Sequence, residues 1–168
     1  GTATLSAQKP TPAEQLLAGK LINDALDRTQ SSHISSKAAT EQACLLLRMA
    51  RQLDPGNVRG LKLLVEAAHA TGQPDVEKGA LRDLVKADPG DLVAQVKYLD
   101  FLAMATEALD ERARIYRSAF DARSLDPQIR SEMAVRLARI AVERGNPDDG
   151  RAFLKQALDL NPVNVGAL

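Results

Sequence analysis

The chain has 168 residues, and its 22 basic side chains balance 22 acidic ones, so no net field gathers nucleic acid or holds an anionic membrane by charge alone. Apolar residues make up 45 % and aromatic residues only 3 %, with no Trp, which points to close-packed helices built on Ala, Leu and Val. A single cysteine, Cys44, excludes an internal disulfide framework, and Arg48, Lys62, Lys97 and Arg139 interrupt every stretch long enough to cross a bilayer.

The first residue is Gly and the last segment stops in mid-pattern, which suggests a piece of a longer protein. Residues 1–10 have no periodicity and read as a flexible lead; Thr4-Leu5-Ser6-Ala7-Gln8 also fits the tail of a removed export signal. The compartment stays open, with the cytoplasm favoured over the periplasm or export. Order begins at Thr11-Pro12-Ala13-Glu14, where a capping Thr, Pro at the first helical position and Glu at the third start a helix to about Arg28. Its apolar face is Leu16, Leu17, Leu21, Ile22, Ala25 and Leu26. A polar run from Thr29 to Ser36 breaks the pattern, which resumes from Lys37 to Leu53.

Asn57 caps a third helix that ends at Thr71-Gly72-Gln73-Pro74, and a partner follows from about Asp75 to Ala87. Asp91 caps a fifth, Leu92 to Ala105, apolar almost all round, and a sixth begins near Leu109. A seventh, patterned by Met133, Leu137, Ile140 and Ala141, turns at Gly145-Asn146-Pro147-Asp148 into an eighth marked by Phe153, Leu154, Ala157 and Leu158. After Pro162, the residues Val165 to Leu168 read as the start of a further inner helix.

Asp54-Pro55-Gly56-Asn57, Asp88-Pro89-Gly90-Asp91, Asp126-Pro127-Gln128 and Asn161-Pro162-Val163-Asn164 punctuate this series at proline spacings of 34, 38 and 35 residues. That is the period of a helix-turn-helix unit that buries its apolar face by stacking on copies of itself. The longer spacing is expected to place its extra residues near Thr106 to Asp110. The fold class expected is an all-α solenoid of about four antiparallel helical hairpins, spanning roughly 11–54, 57–88, 91–125 and 127–161 within one repeat domain, 11–168.

The fourth unit, with Gly145-Asn146-Pro147 at its turn and Ala157-Leu158-Asp159-Leu160-Asn161-Pro162 at its end, resembles a tetratricopeptide repeat. Counted back from Pro162, the small or apolar positions of that family's pattern fall on Ala134, Leu137, Ala138, Ala141, Gly150, Leu154 and Ala157. Counted back from Pro89, Val65 stands at the expected glycine, Ala68 at the tyrosine and Glu77 at the later alanine, so that copy is degenerate and its helix packing altered. The resemblance, covering about 12–162, implies a right-handed superhelix whose concave wall is made by the first helix of each pair and binds peptides or partner helices.

On that wall, helical spacing exposes Arg59, Lys62, Glu66 and His69 in the second unit, Val93, Val96, Asp100 and Met104 in the third, and Glu132, Val135, Arg139 and Val142 in the fourth. Val93, Val96 and Met104 read either as an anchor for a ligand or as part of a helix enclosed by its neighbours or by the N-terminal segment. The subclass that clamps chaperone carboxyl termini is not matched: Leu63 stands where an Asn is required, and Val93 and Lys97 where two basic residues are required.

His33 and His69 have no Cys or paired carboxylates at ligand spacing, so neither a metal, a cofactor nor a catalytic base is expected. Acidic pairs such as Asp148-Asp149 and Asp110-Glu111 suit helix starts, and Cys44 suits a packed core thiol. The function expected is a non-catalytic scaffold for a protein or peptide partner. The alternatives are a docking or homo-oligomerising module of a larger enzyme or assembly machine and, more distantly, an RNA-binding helical array, which the absence of a positive groove opposes.

Overall fold

The computed structural model describes residues 8–30 and 36–168. The lead through Ala7 and the stretch 31–35, with His33, lie outside the described residues. Among those described there are eight α-helices and no strand: α1 (Pro12–Gln30), α2 (Ser36–Leu53), α3 (Val58–Ala70), α4 (Pro74–Ala87), α5 (Leu92–Met104), α6 (Leu109–Asp121), α7 (Pro127–Glu143) and α8 (Pro147–Leu160). A short 3-10 turn, Val165–Ala167, follows. No described helix is long and apolar enough to cross a membrane.

Local chemistry sets the ends of these helices. At the start of α1 the Thr11 amide donates to Glu14 Oε2 at 2.7 Å while the Glu14 amide donates to Thr11 Oγ1 at 3.2 Å, the reciprocal pair of a capping box. Asn57, Asp91, Asp126 and Asn164 each accept a backbone amide with the side chain, from Gly60, Ala94, Gln128 and Gly166 respectively. At the other end, Gly72 and Gly145 take φ of +64° and +80°. That left-handed turn lets the amides of Gln73 and Asn146 reach back to the carbonyls of Ala68 and Ala141 and so closes α3 and α7.

The caps revise the expected position of the extra residues. Asn57, Asp91 and Asn164 each stand two residues after a proline, but the corresponding position after Pro127 is Ile129, which has no acceptor and is buried. Asp126 caps instead, with Pro127 in the first helical turn. Counted from cap to cap the spacings are 34, 35 and 38 (57 to 91, 91 to 126, 126 to 164). The surplus therefore lies mainly in α7, which has 17 residues against 13 in α3 and α5, and not in the segment Thr106 to Asp110.

The chain divides into two compact units, Gly1–Asp88 and Pro89–Leu168. In the first, α1 packs on α2 and α3 on α4, with α2 against α3. Ile22, Cys44, Leu61, Leu64 and Leu81 form its fully buried centre, and Arg51 reaches from α2 over the bare face of Gly79 to chelate Asp83 Oδ2 at 2.9 and 2.6 Å. Glu77, a charged residue at a site expected to be small, is accommodated by turning its carboxylate to His69 Nδ1 of α3, 3.2 Å away.

In the second unit α7 is the central helix, packed against α5, α6 and α8. One cluster joins Ala103, Tyr116, Ala119, Ile129, Met133, Leu137 and Ile140; a second joins Ala134, Val135, Ala157 and Ala167 beneath the 3-10 turn. At Gly150 a Cβ would stand 2.8 Å from Val142 Cγ2 and 3.3 Å from the Ala138 carbonyl, so glycine sets how closely α7 and α8 approach. Ser131, fully buried, donates to the Ala157 carbonyl at 2.7 Å and accepts from Asn164 Nδ2 at 2.8 Å, which pins the last turn to the unit.

Candidate functional site: a groove between α5 and α7

The first helices of the two hairpins in the second unit, α5 and α7, border a groove of about 410 Å³. One wall is apolar: Val93 is 66 % exposed, with Leu92 and Val96 half-buried beside it. Leu92 and Val96 rest on the main core cluster below, so the wall is rigid at its base and open at its rim. The additional turn of α7 supplies Gln128 and Ile129 to the groove, and Asn161 joins them from the end of α8.

The other part of the groove is charged and internally paired. Arg136 donates through Nε to Asp100 Oδ1 and through Nη2 to Asp100 Oδ2 at 2.6 Å, and its Nη1 donates to Glu132 Oε2 at 2.8 Å and to the Glu132 carbonyl at 3.0 Å. Burial works against its charge, but the hydrogen bonds and charges of Asp100 and Glu132 more than offset this and hold the guanidinium above its ordinary range. Tyr116, buried on α6, donates to Asp100 Oδ1 at 3.1 Å. Burial first, and then the Asp100 carboxylate, push its hydroxyl up to about 12. A bidentate guanidinium–carboxylate pair braced by a tyrosine is a fixed surface rather than a pair of wandering charges.

Of the residues expected on the binding wall, Val93, Val96, Asp100 and Glu132 meet in this groove. Met104 is 63 % exposed at the far end of α5. Val135 is buried, 3.4 Å from where a Gly166 Cβ would stand and packed against Ala167. Arg139 is exposed, and Val142, also exposed, packs beside Gly150 on another face of α7. In the first unit Arg59, Lys62, Glu66 and His69 are all exposed on α3; Arg59 donates to Asn23 Oδ1 at 3.2 Å, and His69 faces Glu77. Glu66 borders a separate hollow of about 310 Å³ between α1, α2 and α3, together with Leu26, Leu47 and Leu63. Arg136, Gln128 and Ile129 were not expected at the site. The four-residue step from Glu132 to Arg136 is the sequence signal that marks Arg136.

The groove offers apolar surface, hydrogen-bonding edges and a charged cluster in which Arg136 and Lys97 balance Asp100 and Glu132. Among the described residues no cluster of three or more His, Cys, Asp or Glu side chains is arranged to hold a metal ion.

No family profile and no curated protein matches the chain. Solved structures do. PilF of Pseudomonas aeruginosa is 19 % identical with a TM-score of 0.52 over 92 % of this chain, which spans 66 % of the PilF chain. Two structures of MamA align with TM-scores of 0.56 and 0.50, at 15 % and 17 % identity, over 90 % and 79 % of this chain and 76 % and 74 % of theirs. Paired helices at a period near 34 residues, and this likeness to PilF and MamA, give the chain the all-helical fold of tetratricopeptide-repeat proteins.

Proposed function

We propose that the chain is a non-catalytic protein-interaction scaffold and that the α5–α7 groove receives a short segment of a protein partner through apolar side chains. The observation that carries this reading is the apolar wall of exposed Val93 with half-buried Leu92 and Val96 beside it, facing Arg136 already paired with Asp100 and Glu132. Such a groove rewards burial of apolar surface and gives little to an added charge. From Leu92 to Asp100 the helix rises about 12 Å, the reach of about four residues of an extended peptide. The fold supports a binding role in general, and the groove supplies the local argument for where binding occurs.

The test is a displayed peptide library selected on the intact protein, with Val93→Glu as a counter-screen. Val93 is a better probe than Val96, which also packs on the core. Enriched peptides are expected to share apolar side chains and to bind Val93→Glu about tenfold more weakly or worse, with an unchanged helical circular dichroism spectrum; a buried apolar contact of this kind is worth about 1.5–3 kcal/mol. Peptides that bind wild type and variant equally, or no enrichment at all, would remove the groove as the working surface.

A further inference from the structure

A second hollow, of about 330 Å³, opens between α6, α7 and α8 on a different face of α7 from the groove. Its floor is apolar, with Leu137 and Ile140 from α7 and Phe153 from α8, while Arg114, Arg117 and Arg144 stand around it against one carboxylate, Asp149. Arg144 is hydrogen-bonded to Asp110, and Arg114 lies 2.9 Å from Glu111. The carboxylate of the first pair is almost fully exposed, and both groups of the second are more than two-fifths exposed, so these contacts are weak and yield readily to an incoming anion.

Arg117 is different. Its guanidinium lies 4.7 Å above the ring of Phe153 and 5.8 Å from that of Phe120, and the two rings meet edge to face at 6.2 Å. Among the described residues it makes no ion pair. The cation–π contact holds the guanidinium over the ring without using its N–H groups, and Arg117 is exposed, so they stay open to a bidentate acceptor. An oriented guanidinium fork beside an apolar floor is complementary to a ligand with a carboxylate and a large apolar side chain next to each other.

We propose that this hollow is a second binding site, taking a segment of a protein partner in which an acidic residue adjoins an aromatic one: the carboxylate on Arg117, the ring over Leu137, Ile140 and Phe153. Arg117, the one of the three guanidinium groups without an ion pair among the described residues, selects the acidic segment, and the floor selects the aromatic side chain. The site is independent of the α5–α7 groove, so either can fail without the other.

Amide NMR titrations of the intact chain with three probes test it: N-acetyl-Asp-Phe-amide, N-acetyl-Asn-Phe-amide and N-acetyl-Asp-Ala-amide. The first is expected to shift the amides around Arg117 and from Asn146 to Phe153, and the other two to bind about tenfold more weakly, the scale of a lost charge-assisted contact or a lost aromatic burial. Arg117→Gln is expected to lower affinity for the first probe about tenfold, and Arg117→Lys, which keeps the charge without the fork, by a smaller factor. Equal affinity for all three probes overturns the proposal, as do shifts confined to Leu92–Asp100 and Gln128–Arg136, or inorganic phosphate binding as tightly as the first probe. The probe comparison uses the wild-type chain, so its outcome does not depend on how well Arg117→Gln folds.

Discussion

Tyr116 is the residue whose environment has the clearest consequence for stability. Its hydroxyl, held up to about 12 by burial and by Asp100, would ionise near 10 in an unfolded chain. Between those values the unfolded chain has released a proton that the folded chain retains, so stability falls as pH rises. The contribution is fully present below pH 10 and lost as pH rises through about 12, and amounts to about 3 kcal/mol. Urea unfolding of wild type and Tyr116→Phe at pH 9 and pH 11.5 checks this: the wild type is expected to lose more stability than the variant over that interval, and parallel losses would show that the hydroxyl is not responsible. Gly150 shows what a single missing methyl group permits. Gly150→Ala drives a Cβ against Val142 Cγ2 and is expected to cost about 1–3 kcal/mol in urea unfolding. Val142→Ala in the same chain is expected to recover part of it, leaving the contact with the Ala138 carbonyl.

At the scale of the element, helix starts and stops were legible because their chemistry is local. Thr11 and Glu14, Asn57, Asp91 and Asn164, and the left-handed Gly72 and Gly145, act within a few residues of where they stand. The start of α7 at Pro127 was legible too, but its additional turn was not: the proline at 127 matches the punctuation of the other units, so the longer spacing was assigned to the loop before α6, whereas Ile129 leaves the cap to Asp126 and the surplus to α7. The groove was legible in part. Helical spacing found Val93, Val96, Asp100 and Glu132, but it carried the same rule to Val135, Arg139 and Val142, whereas the neighbours of α7 turn Arg136 and its additional turn toward α5. Such contacts depend on how two helices cross, which no single helix encodes. Asp126→Ala is expected to cost about 1 kcal/mol and to fray the first turn of α7, and by loosening Gln128 and Ile129 to weaken any peptide held in the groove. Faster amide exchange confined to the start of α7 would report it, and uniform protection would count against it.

For the molecule as a whole, the division at Asp88–Pro89 leaves each unit with two stacked hairpins and its own buried centre. Stability in repeat arrays comes from neighbouring elements, so fragments 1–88 and 89–168 are each expected to keep a helical circular dichroism spectrum and a cooperative urea transition. A fragment with neither would show that its centre is insufficient alone. Balanced charge belongs to this scale too: with a net charge of zero, the chain is expected to retain no RNA in filter binding at physiological salt, and salt-sensitive micromolar retention would revive the nucleic-acid reading. The displaced cap of α7 bears on how such a chain can change over time. A turn added at the start of a helix leaves the angular phase of every later side chain unchanged, so it extends the groove without requiring the residues behind it to repack. A repeat whose boundary depends on one acceptor can thus vary the reach of its binding surface by trading that residue, and a lineage can try new partners at the edge of a unit while its interior is inherited intact.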